Sequence, residues 1–430
     1  MKILLKNGRV IDPKTGIDAK MDIFIQNGNI TDMEQNFDHE GIEDIEIIDA
    51  AGLTVVPGFV DMHCHLREPG FEYKETIATG TMSAAKGGFT SIACMPNTNP
   101  VIDNSAIVEY IYTKTKEEGV VNVYPIGAIT KGQNGEELAE IGELKFAGVV
   151  AISDDGKPVP KPNLMRNAMQ YAAMFDTLVI SHCEEMSLAK DGHMNEGYMA
   201  TLLGLRGIPN AAEELMVARE VMLAGDTGAA VHIAHVSTVG SVEIVRQAKK
   251  QGIRVTCETC PHYFSLTEEA VEGYNTNAKM NPPLRTQADV EAIIAGLKDG
   301  TIDAIATDHA PHHPDEKNQE FEKALNGIVG FETAFALGMK YLVEPEHLTL
   351  GDLIIKMSCA PAHILGLGKG CLAVDKPADI VIFDENEEVI VDTAKFLSKS
   401  KNSPYNGFKL KGSIKYTIVN GKIIVREGEI

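Results

Sequence analysis

"PGFVDMHCHLREPG", residues 57–70, is the stretch whose reading decides the fold. It opens apolar between Pro57 and Gly58 and a run of buried-type residues, then turns polar. A short apolar run bounded by turn residues reads as a strand buried on both faces. Successive side chains in a strand alternate between faces, so His63, His65 and Arg67 are expected to point the same way. Two imidazoles and a guanidinium make a poor packing surface. They make a good start for a metal site with an anion clamp beside it.

The same form recurs along the chain as "TSIACMPN" (90–97), "VNVYPIGA" (121–128), "GVVAISDDG" (148–156), "DTLVISHCEE" (176–185), "AVHIAHVS" (230–237), "IRVTCET" (253–259) and "DAIATDHAP" (303–311). Between these runs lie segments of helical periodicity, such as "TIATGTMSAAKGG" and "AEELMVAREVMLAG". Alternating strands and helices imply parallel βαβ units. Eight of them imply an α/β fold of the (β/α)8 TIM-barrel type, placed at about residues 56–365.

The ends read differently. "KILLKNGRVID" and "MDIFIQNGNITDM" at the start, with "ADIVIFDENEEVIVD" and "KYTIVNGKIIVREGEI" at the end, are short alternating strands, several with Asn-Gly turns. Asn-Gly between alternating apolar residues is a strong hairpin signal. Residues 1–55 and 366–430 are expected to form one composite β-sandwich domain beside the barrel. The polar segment "HAPHHPDEKNQEFEKALNG", His309–Gly327, follows the eighth strand and is a candidate lid.

Bulk properties narrow the function. The 430 residues are 44% hydrophobic and 23% charged, an ordinary globular composition. No run approaches the ~18–20 apolar residues of a membrane span. The first residues carry a charge every few positions and no apolar core, so no signal peptide is expected. Seven cysteines without scaffold spacing suggest a reducing, cytoplasmic setting. The lone C-x-x-C, Cys257–Cys260, lacks a second pair and reads as structural. A net charge of −22 argues against a nucleic acid or an anionic membrane as partner, but not against a small acidic substrate held by local cations.

In a TIM barrel the chemistry sits at the C-terminal ends of the strands. There the sequence places His63, His65 and Arg67 on strand one, Asn97 on strand two, Asp154 and Asp155 on strand four, His182 on strand five, His235 on strand six and Asp308 on strand eight. Any one of these has a bland explanation; their arrival together at one rim does not. Imidazole and carboxylate suit zinc or a similar divalent ion. The set exceeds the needs of one ion and suits two that share a carboxylate. Asp308 is the candidate acid/base. His232, an odd number of steps from His235, is expected to face the helices. His262 reads as structural. His312 and His313, in the candidate lid, are each candidates for ligand contact.

These motifs resemble the amidohydrolase superfamily and, within it, the bacterial-type dihydroorotases. "PGFVDMHCHLREPG", "AAKGGFTSIACMPNTNP", "AISDDGKPV", "SHCEE", "HIAHVST", "KMNPPLR" and "ATDHAPHHPDEK" carry the likeness, which spans nearly the whole chain. It implies that His63, His65 and Asp308 hold one zinc ion and that His182 and His235 hold a second. An acid from strand four would bridge them. Spacing leaves Asp154 and Asp155 open, and the family pattern favours Asp155. The aspartate form implies no carboxylated lysine. Arg67, Asn97 and His312 would bind the substrate carboxylate, His65 would border it, and Asn281 with Asn326 and Gly327 would meet its ring. Asp308 would also move the proton. The implied reaction interconverts dihydroorotate and N-carbamoyl-L-aspartate in pyrimidine biosynthesis. The resemblance suggests a homodimer and, in some relatives, association with aspartate carbamoyltransferase. Two features depart from the pattern. Asn326 stands where the family usually has an apolar or aromatic residue before Gly327. "ETCPHYF" is shared with allantoinases and hydantoinases, which keeps another cyclic amidase as the alternative. A non-catalytic paralogue is a remoter one, because every ligand position is filled.

Overall fold

The computed structural model describes residues 2–430. All eight runs are strands: Phe59–Cys64, Phe89–Cys94, Asn122–Pro125, Ala151–Ser153, Leu178–Ser181, Val231–Ile233, Val255–Thr259 and Ala304–Ile305. Neighbours within each of two groups pair in parallel. Single bridges close the ring, Gly127 with Ile152 on one side and Cys64 with His309 on the other. The barrel interior holds Met62, Ala93, Met95, Ile126, Ala151, Ile180, Ala234, Ala304 and Ala306. Alanine at so many inward positions leaves room for the bulky polar side chains at the rim. Outward residues such as Ile92, Val123, Val179, Val231 and Ile233 pack in the main core.

The helices begin where the sequence supplies caps. The helix Ile77–Lys86 starts at a capping box of Thr76 and Thr79. Val239–Lys250 starts with Thr238 accepting from the Ser241 N–H and ends with Lys249 and Lys250 at the negative end of its dipole. No helix among the described residues is long and apolar enough to cross a membrane.

The two chain ends build one eight-stranded sheet, in the order Lys422–Arg426, Lys409–Val419, Ile380–Ile390, Thr54–Pro57, Lys2–Asp12, Ile17–Gln26 and Asn29–Glu34, with Ile45–Asp49 also paired to Lys2–Asp12. Asn27-Gly28 and Asn420-Gly421 turn hairpins, both residues of each pair having positive φ. Asn7-Gly8 does not turn the chain, contrary to the sequence expectation. The strand runs through it with a bulge, its register shifting between Leu5 and Gly8. Asn7 is held there by Asp22, which accepts from its backbone N–H at 2.8 Å, and by Asp49, which accepts from its side chain at 3.0 Å. A Cβ on Gly8 would come within 2.6 Å of Val55, so the close approach of the neighbouring strand requires glycine.

Candidate active site

Four imidazoles and two carboxylates converge at the C-terminal rim. Asp155 lies at the centre, with Oδ1 3.4 Å from His63 Nε2, 3.7 Å from His182 Nδ1 and 3.6 Å from His235 Nε2, and Oδ2 3.5 Å from His65 Nε2. Asp308 Oδ1 is 3.1 Å from His65 Nε2 and 3.5 Å from His63 Nε2. His182 Nδ1 and His235 Nε2 approach to 2.8 Å. Two groups have the spacing to hold a metal ion, His63–His65–Asp155 and Asp155–His182–His235, with Asp155 common to both. Burial alone would raise the pKa of Asp155, but the surrounding His63, His235 and His65 hold it well below the carboxylate range.

Asp154 does not join them. Its Oδ1 accepts from the backbone N–H of Ile129 and Thr130, and its Oδ2 from the Thr130 hydroxyl. Adjacent residues leave the strand in opposite directions, and only Asp155 turns to the histidines.

The remaining expected residues line a pocket of about 200 Å³ above this cluster, which His65, Arg67, Asn97, Asp155, His182, His235, Asn281, Asp308, His312, Asn326 and Gly327 share. Arg67 arrives by a different route from the one its spacing suggests. The strand ends at Cys64, and Arg67 has a left-handed backbone with φ 63°. Its Nε donates to the Pro311 carbonyl at 3.2 Å. Among the described residues it pairs with no carboxylate. His235 (φ 34°) and Asp308 (φ 45°) also sit on left-handed backbone, so strand ends are bent to aim these side chains.

Asn97 faces the site but gives its carbonyl oxygen to His65 Nδ1, at 2.9 Å. Asn281 donates to Glu184 Oε2 at 3.2 Å, and the same oxygen lies 3.3 Å from His182 Nε2. His312 Nε2 donates to the Asn326 carbonyl at 2.7 Å. Burial, with Arg67 and Lys74 nearby, keeps the His312 ring neutral. His313 is half-buried, caps the short helix Pro314–Lys317 and lies outside the pocket lining.

His232 faces inward rather than toward the helices, which corrects its expected direction. It is level with Ile180, an interior residue, and its Nε2 lies 3.5 Å from Glu258 Oε2. His235 stands beyond the strand on bent backbone, so the odd spacing between the two does not set their faces. His262 is fully buried, with burial pushing its pKa down to about 4.

Several supporting residues escaped the sequence reading. Glu258 Oε1 accepts from His63 Nδ1 at 2.7 Å. His309 stacks on Phe331 with centroids 4.1 Å apart and reaches Glu75 at 3.3 Å. The candidate lid is pinned. Lys279 Nζ donates to the carbonyls of Phe321, Glu322 and Ala324 at 2.7–3.0 Å. Lys317 Nζ donates to those of Leu325 and Gly327 at 2.8 and 3.1 Å. Asn402 donates to the carbonyls of Ala310 and Gly327 at 3.0 Å. A buried charged residue inside a polar loop was the available signal, but burial is invisible in one sequence.

Known proteins resemble the chain along its whole length. The dihydro-orotase-like family model matches residues 52–241, and an amidohydrolase family model matches residues 205–425. A dihydroorotase of Acetivibrio thermocellus is 62% identical over 425 residues, covering 99% of both chains. A dihydroorotase of Ruminiclostridium cellulolyticum is 60% identical over 427 residues, again covering 99% of both. Among solved structures, the L-hydantoinase of Arthrobacter aurescens superposes with a TM-score of 0.89 at 25% identity, covering 100% of this chain and 97% of that one. The dihydropyrimidinase of Brevibacillus agri, at 22% identity and a TM-score of 0.87 over 100% of this chain and 96% of that one, shares the fold. With relatives of that identity along its whole length, and a barrel that gathers histidine and aspartate at one rim, this chain belongs to the dihydroorotase family of the amidohydrolase superfamily.

Proposed function

We propose that the chain opens and closes the ring amide of (S)-dihydroorotate, interconverting it with N-carbamoyl-L-aspartate in pyrimidine (UMP) biosynthesis. The observation that carries this reading is Arg67, a guanidinium without a carboxylate partner, set beside the histidine–aspartate cluster. A cyclic amide bearing one carboxylate satisfies both. Hydantoin and allantoin lack the ring carboxylate and have no use for the clamp.

The donor set fits a pair of divalent ions. His63 Nε2 and Asp155 Oδ1 are buried without hydrogen-bond partners, a costly arrangement for a site with nothing to bind. Imidazole with carboxylate favours zinc. His63, His65 and Asp308 would hold one ion, His182 and His235 the other, and Asp155 both. When bound, such ions polarise a carbonyl oxygen and lower the pKa of water toward neutrality.

The side chains do the rest. Arg67 offers a two-pronged fork to the ring carboxylate, which a lysine cannot match. Asn97 and neutral His312 border the same group. Asn281 and the backbone of Asn326–Gly327 face the ring. Asp308 accepts a proton from the attacking water as the new C–O bond forms at the ring carbonyl. It returns that proton to the ring nitrogen as the C–N bond breaks. The reverse order closes the ring. Beyond the site, we infer a cytoplasmic homodimer; association with aspartate carbamoyltransferase rests on family resemblance.

Parallel hydrolysis assays on dihydroorotate, allantoin and hydantoin, before and after chelation, test the reading. Turnover of dihydroorotate alone, lost on chelation and restored by zinc, is expected. Turnover of allantoin or hydantoin instead would overturn the role given to Arg67. No turnover of any, with zinc supplied, would favour the non-catalytic paralogue.

A further inference from the structure

The segment Cys257-Glu258-Thr259-Cys260 invites attention for its thiols, yet both are buried, and burial raises the pKa of each. The glutamate between them is the chemically informative residue. Glu258 is fully buried inside the barrel. Its Oε1 lies 2.7 Å from His63 Nδ1, and its Oε2 lies 3.5 Å from His232 Nε2. The far nitrogen of His232, Nδ1, meets the Thr256 hydroxyl at 2.8 Å. A chain of polar groups thus runs beneath the metal-binding cluster, with His63 at its upper end.

We propose that Glu258 is a positioning residue that fixes the His63 ring with its proton on Nδ1, leaving Nε2 bare toward Asp155 and Asp308. This rests on the reading of the cluster as a metal site. A neutral imidazole has one N–H and one lone pair, and a carboxylate can only accept. The partner at Nδ1 therefore dictates which nitrogen is free to bind a metal. Such a carboxylate also raises the basicity of the ligand and holds its ring in plane. A glutamine in its place can turn its amide N–H toward Nδ1. The ring proton then moves to Nε2, and the ligand is lost.

The test compares zinc affinity of the metal-stripped full-length wild type and Glu258→Gln by competition with a chromogenic chelator. The variant is expected to bind ~10–100-fold more weakly. Its cobalt-loaded form should show an altered visible spectrum, which a merely structural change would not produce. Cys257→Ala and Cys260→Ala should bind zinc as the wild type does. Wild-type affinity and spectrum in Glu258→Gln would overturn the proposal while leaving the metal reading intact. Failure of the wild type to bind zinc would overturn both. If Glu258→Gln does not fold, Glu258→Asp keeps the charge and shortens its reach; weakened binding supports the proposal, and wild-type binding overturns it.

Discussion

Arg67 shows what a single residue demands of its backbone. Its left-handed φ of 63° is uncommon for a residue with a side chain, and it brings the guanidinium over the pocket. Arg67→Lys keeps the charge and loses the fork. The kcat/KM for dihydroorotate should fall ~10–100-fold, the ~1–3 kcal/mol of a charge-assisted hydrogen bond. Steady-state kinetics checks this, and unchanged values would remove Arg67 from substrate binding. The two strand-four acids make a paired prediction. Asp155→Asn should abolish zinc binding in metal analysis of the purified protein. Asp154→Asn should keep the zinc and lose about 1–3 kcal/mol of stability in urea unfolding, because it weakens the bonds to Ile129 and Thr130. Sequence made the histidines legible through their residue types and positions at strand ends. It could not separate Asp154 from Asp155, because neighbours at a strand end diverge only once the turn is known. Nor could it foresee Glu258, whose role depends on a strand far away in the chain.

At the scale of elements, the eight strands were legible because each is a short apolar run closed by polar residues. Asn7-Gly8 misled because the same dipeptide serves a hairpin or a bulge, and Asp22 and Asp49 decide between them. The segment His309–Gly327 reads from sequence as a candidate lid, since it is long and polar and follows the eighth strand. Lys279, Lys317 and Asn402 instead tie its carbonyls down, so it forms a wall that carries His312 and the Asn326–Gly327 backbone. Lys317→Met should loosen this wall. Hydrogen exchange in residues 312–327 should speed up, and KM for dihydroorotate should rise more than kcat falls. Equal exchange in both proteins would argue that the lysine is dispensable. The same lysines set a pH dependence. Burial pushes Lys317 down to about 7 and Lys279 to about 8, against ~10.4 in an unfolded chain. Between those values the unfolded chain binds more protons than the folded one, so stability rises with pH from about 7 toward 10. Urea midpoints at pH 7 and pH 9 measure the slope, which should be smaller in Lys317→Met.

At the scale of the whole molecule, the end sheet and the barrel share a core. The sheet residues Val56, Val381, Phe383, Leu410, Val419 and Val425 pack in the same cluster as the barrel's outward residues, while Ile3, Ile23, Ile25 and Ile380 fill a separate core on the sheet's other face. A run of rings crosses the junction. Phe383 meets Phe335 at 4.6 Å between centroids, Phe335 stacks on Phe59 at 5.0 Å, and Phe59 contacts Phe89 at 5.9 Å. Phe89 meets Phe331 at 5.6 Å, and Phe331 lies against His309 beneath the site. A polar link crosses as well, with Thr417 of the sheet donating to the Ala85 carbonyl at 2.8 Å. A barrel stripped of this sheet would expose Phe59, Phe89 and Phe335 together. The two parts should therefore unfold as one. Phe335→Ala removes the ring that joins Phe383 of the sheet to Phe59 of the barrel and should cost about 3–5 kcal/mol. Because the chain has no tryptophan, urea unfolding is best followed by tyrosine fluorescence and far-ultraviolet circular dichroism. Coincident transitions, both shifted to lower urea in the variant, are expected. A separate early transition for the sheet, with the barrel unmoved, would show that the shared core does not couple them.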